Sequence, residues 1–66
     1  MFAFSIVVVV IQSRARDELV WRDEMWKRNH LTAYLTARAK ARLTGRVYRL
    51  LDQDGAVIEQ FRETGH

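Results

Sequence analysis

The residues best equipped for chemistry in this chain are basic and close together. Arg38, Lys40, Arg42, Arg46 and Arg49 stand within twelve positions that contain no acid. Tyr48 lies inside the same block. Guanidinium groups grip phosphate and carboxylate oxygens through paired hydrogen bonds, and a tyrosine ring can stack on a base. The block is therefore the candidate phosphate-binding or partner-binding site. The charge around it is uneven. Residues 1–37 carry five basic and four acidic side chains, and residues 50–66 carry one and four. Spacing tempers a nucleic-acid reading, because a helix would put Arg38 and Arg42 on one side and turn Lys40 well away. No helix-turn-helix, zinc-finger or other reader pattern accompanies the block. Cations near a helix C-terminus also complement its dipole, which is the structural reading of the same residues.

No other group assembles into a reactive set. His30 could move protons, but helical spacing places no Ser, Cys or carboxylate beside it as a triad would need, and its expected place is a partly buried one. Asp52-Gln53-Asp54-Gly55 has the opening of a calcium loop, with Glu63 at the twelfth position. An apolar strand pattern from Ala56 intervenes, so the stretch is expected to be a turn. Trp21 and Trp26 are expected as packing anchors, one in a core and one at an interface. With two His and no Cys, a structural zinc site is not expected. Gly45, Gly55 and Gly65 form no phosphate-cradling loop. The expectation is a non-enzymatic protein with no catalytic residue, no metal and no cofactor.

These residues need elements to hold them. From Asp17 to Thr44 the apolar positions fall on two opposite stripes when placed 100° apart, which predicts one long two-faced helix over 13–44. One stripe holds Leu19, Trp26, Ala33 and Ala37, with His30, Tyr34 and Ala41 at its edge. The other holds Trp21, Met25, Leu35, Ala39 and Leu43. Glu18/Arg22, Asp23/Lys27 and Glu24/Arg28 are spaced i, i+4 with the acid first, as a helix prefers. Ser13 or Asp17 would cap the start, although Arg14 and Arg16 suit a first turn poorly. Gly45 would end the helix in a left-handed conformation.

Ahead of it, Phe2 to Ile11 is apolar except for Ser5, and Ile6 to Ile11 contains only Ile and Val. That predicts a strand over 1–12, covered on both faces. Some ten residues are too few to span a bilayer as a helix, which takes roughly 20. No basic n-region or cleavage site marks a signal peptide. Behind the helix, 46–61 is predicted as a hairpin turning at Asp52–Gly55. Leu51 should face Val57, Arg49 should face Glu59 and Val47 should face Phe61. Residues 62–66 are expected as a polar tail.

The predicted fold is a single α+β domain, β-α-β-β, with the first two strands parallel across the helix. A helix of that length runs about 42 Å, whereas a six-residue strand runs about 20 Å. The helix should therefore bend near Asn29-His30 or project beyond the sheet. A chain of 66 residues that is 48% apolar and lacks Cys cannot hide its apolar surface alone or staple itself with disulfides. Self-association is the expected remedy, through Trp21, Met25, Leu35, Ala39, Leu43, Leu50 and Ile58. The leading functional reading is a cytoplasmic, self-associating inhibitor, adaptor or accessory protein that contacts another macromolecule. The alternatives are a nucleic-acid binder using the Arg38–Arg49 block, and an oligomer that clamps a small anion between subunits with the same arginines.

Overall fold

The computed structural model describes residues 8–62. The fold is α+β, with a four-stranded antiparallel sheet and one helix among the described residues. In chain order the elements are β1 (Val9–Arg14), β2 (Arg22–Lys27), α1 (His30–Thr44), β3 (Val47–Leu51) and β4 (Val57–Phe61). Across the sheet the order is β2-β1-β3-β4.

Two elements depart from the sequence reading. The helix begins at His30, not in the region 13–17, and residues 22–27 form a strand. Asn29 is the N-cap: its backbone is extended and its side-chain oxygen accepts from the Thr32 amide at 3.0 Å. The shortened helix also removes the predicted mismatch in length, since 15 residues run about 22 Å, close to a six-residue strand. The second departure is the sheet: among the described residues every pairing is antiparallel and no β-α-β crossover forms. The first seven residues of the expected 1–12 strand lie outside the described residues.

Arg14 and Arg16, unsuited to a helix start, organise the β1–β2 connection. The Arg14 guanidinium donates to the carbonyls of Ala15, Arg16 and Glu18 at 2.9–3.2 Å. Arg16 Nε donates to the carbonyl of Gly45 at 3.2 Å and ties the connection to the helix end. That end is as expected: Gly45 has φ 73° and donates to Ala41 O at 3.0 Å. A left-handed residue there is easiest for glycine.

The β3–β4 turn also forms where predicted. Asp52 Oδ1 accepts from the amides of Asp54 and Ala56 at 2.9 Å, and Gly55 takes φ 84°. Leu51 faces Val57 as expected. The next pairs are Leu50 with Glu59, Arg49 with Gln60 and Tyr48 with Phe61, because Ile58 is an extra residue that slips the register by one.

The core lies between one sheet face and the helix. Ala33, Ala37 and Ala41 pack on Val9, Ile11, Tyr48 and Leu50, with Met25, Tyr34 and Phe61 at the margin. Rings of Tyr34 and Phe61 meet edge to face at 5.1 Å. Burying Ile11 and Leu50 fully contributes about 1.5–3 kcal/mol each. Small alanines allow the helix to approach the sheet closely, and Tyr48 fills the remaining width. The opposite sheet face carries no helix among the described residues.

Candidate functional site

The predicted basic block does not stay together. Lys40 Nζ pairs with Glu24 Oε1 at 3.0 Å. A bulge makes this possible: Ile11 faces Met25 and Gln12 faces Asp23, so Glu24 is an extra residue on β2, free to turn toward the helix. Arg46 donates through Nε and Nη2 to Ser13 Oγ at 3.3 and 3.2 Å. Arg49 points to the sheet's other face, where Nε donates to Gln12 Oε1 at 2.8 Å. Tyr48 is buried beneath the helix and offers no stacking surface. Arg38 and Arg42 alone remain together, one turn apart on the exposed flank of α1.

Ser13, Glu24, Lys40 and Tyr48 form a polar cluster at the C-terminal half of the helix. Burial works to raise the Glu24 carboxyl, but hydrogen bonds from Ser13, Tyr48 and Lys40 outweigh it and hold the group below its ordinary 4.5. Burial, followed by the bond to Glu24, raises Tyr48. The bond to Glu24 and its negative charge raise Lys40. Ser13 and Tyr48, the two hydroxyls beside this carboxylate, are each 1% exposed. With Lys40, they hold the Glu24 carboxyl of β2 beside the helix.

The open sheet face carries a polar ladder. Gln12 Nε2 donates to Asp23 Oδ1 at 2.7 Å, while its oxygen accepts from Arg49, joining three strands. The Arg49 guanidinium lies 4.1 Å from the Trp21 ring centroid and that of Arg14 lies 5.1 Å away. Trp21, expected on a helix stripe, is thus held by two cations at the β1–β2 connection. Trp26 pairs with Val10 on the same face and is largely exposed.

Three other features reach solvent. His30, expected to be partly buried, is exposed as the first helical residue, beside a cleft lined by Val8, Val9, Asp52, Gln53, Asp54 and Ile58. The Asp52 carboxylate is already engaged by turn amides. No group of three His, Asp or Glu among the described residues could hold a metal ion. A second cleft, of about 300 Å³, is lined by Arg38, Ala41, Arg42, Gln60, Phe61 and Arg62. Arg62, placed by the sequence reading in a tail, is its unforeseen member. No acid stands within ion-pairing distance of its three arginines among the described residues.

The third feature is the outer side of α1. Leu31, Leu35, Ala39 and Leu43 recur every fourth residue and all are exposed; the three leucines are 62%, 51% and 84% exposed. Of the residues expected at an interface, Leu35, Ala39, Leu43 and Ile58 lie at the surface. Leu50 is fully buried under the helix and Met25 packs against the core, so both are taken up within the chain. No helix among the described residues is long and apolar enough to cross a membrane.

No family model matches this chain, and no curated protein and no solved structure matches it either.

Proposed function

We propose that this is a non-enzymatic, self-associating binding protein, with the outer row of α1 docking against the same row of a second copy. The supporting observation is an inversion of residue size. The helix turns small Ala33, Ala37 and Ala41 toward its own sheet and large Leu31, Leu35 and Leu43 toward solvent. Leucine burial is worth more than alanine burial, so a helix serving only its own sheet would carry the opposite arrangement. Rows spaced i±4 interdigitate with their like on another helix, and a two-fold pair matches a patch to itself. A second copy satisfies that geometry without a separate complementary surface. The sheet's open face, with Trp26 and the Gln12 ladder, is then left for the macromolecule the assembly contacts.

The nucleic-acid reading draws less support. A polyanion track needs a continuous basic surface, and Lys40, Arg46 and Arg49 are each engaged elsewhere. Light scattering tests the proposal. The wild type should run at a multiple of 7.8 kDa. Leu35→Gln with Leu43→Gln should return it to the monomer mass with unchanged circular dichroism. A wild type that stays at 7.8 kDa at every concentration overturns it.

A further inference from the structure

We infer that the cleft between α1 and β4 is a binding site for a small phosphate-class oxyanion, with Arg38 and Arg42 as the clamp and Arg62 closing the third side. This site lies within one chain and does not rest on self-association.

Its composition is the first argument. Three arginines line one opening of about 300 Å³. None has a carboxylate within pairing distance or a hydrogen bond to another group among the described residues. Five other cations are engaged: Arg14 holds carbonyls, Arg16 holds the helix end, Lys40 holds Glu24, Arg46 holds Ser13 and Arg49 holds Gln12. Arg22 and Lys27, on the edge strand β2, line no cleft with other cations. Like charges gathered without a counter-charge repel one another, and a bound anion removes that cost. The helix dipole accounts only for Arg42, in the last turn. Arg38 stands a turn earlier, and Arg62 comes from a different element.

The chemistry of the ligand follows from the lining. Guanidinium forks match the oxygens of phosphate in planar pairs, which favours a tetrahedral oxyanion over a single-point acceptor such as chloride. Ala41 and Phe61 expose little apolar surface to the cleft, so recognition rests on the arginines and the ligand is defined by its phosphate-class oxyanion. The volume suits a small molecule. A nucleic-acid backbone would need the basic surface to continue beyond the cleft, and the neighbouring cations turn away from it.

The test uses the full chain with inorganic phosphate and phenyl phosphate as probes, followed by calorimetry at physiological salt. Both should bind saturably at one per chain. Arg38→Gln and Arg42→Gln should each weaken binding about tenfold or more, with circular dichroism unchanged, because both side chains are exposed and hold nothing else. Lys40→Gln, in a different contact, should leave binding as it was. No saturable binding of either probe overturns the inference. So does equal binding by the double variant Arg38→Gln/Arg42→Gln. Affinity that climbs steadily with the length of a single-stranded oligonucleotide also overturns it, by revealing a polyanion track. Because assembly is read separately from mass, loss of phosphate binding and loss of self-association are distinguishable.

Discussion

The two sides of α1 differ in a way the two sides of a helix in a self-sufficient domain do not. Inside, three alanines sit at zero to 2% exposure against Ile11, Tyr48 and Leu50. Outside, a row at the same four-residue spacing, Leu31, Leu35, Ala39 and Leu43, faces solvent. The inner side is a finished contact in which shape decides: alanine is what the distance to the sheet permits. The outer side is apolar without being packed. The comparison separates residues that hold the fold together from residues that hold nothing yet, and it does so within one element of identical backbone geometry.

Substitutions can break that comparison, beginning with the inner contact. Leu50→Ala should be the most damaging, costing about 2–5 kcal/mol as the lost methyl groups leave a cavity under the helix. Chemical denaturation at fixed protein concentration would register it as a lower midpoint with an unchanged slope. Ala37→Leu should come next, at about 1–3 kcal/mol, because the added side chain has no room against the sheet. If it proves neutral in the same measurement, the inner side is not the tight contact described. Glu24→Gln should have a smaller effect, present at neutral pH and vanishing in acid. The Glu24 carboxyl is held below its ordinary 4.5 in the folded chain, so its contribution is present above that value and lost as pH falls through the lower, folded value. The variant should therefore be less stable than the wild type at neutral pH and converge with it in acid, which flattens the acid limb of its stability–pH curve. Smallest of all in folding terms is Leu43→Gln on the outer side. In the dilute monomer it should shift stability by no more than about 0.5 kcal/mol, yet it should weaken association. A large loss of monomer stability would mean that the outer row is packed within the chain after all.

Much of the local architecture was legible before the structure. Asp52-Gln53-Asp54-Gly55 carries its turn in its own side chains, since Asp52 supplies the oxygen that the following amides need. Gly45 is the residue that ends a helix at least strain. The two stripes of the helix from His30 onward follow from counting by 3.6. The strand β2 was not legible. Arg22 to Lys27 contains no β-branched residue and carries ion-pair spacings that favour a helix. It becomes a strand because β1 offers an edge of unpaired backbone groups, and ladder hydrogen bonds take no account of side-chain propensity. Charged residues on that edge strand then protect it from pairing further. Two signals pointed to the true helix start. Asn29 followed by Thr32 is a workable cap, and Arg14 with Arg16 was a poor one.

The site divides along the same line. That Arg38 and Arg42 share a side of the helix is a property of helical spacing. Arg62 joining them is not, because residues twenty positions apart meet only once β4 has been laid against the sheet. The bulge at Glu24 likewise decides which partner Lys40 takes. Sequence by itself determined where the chain turns, where the helix stops and which of its residues share a face, since these depend on the conformational limits of a few neighbouring residues. Tertiary structure alone decided which face would be covered, which strand would form at the sheet edge and which cations would be engaged. Those outcomes depend on backbone groups and side chains that are distant in the chain and meet only in the finished fold.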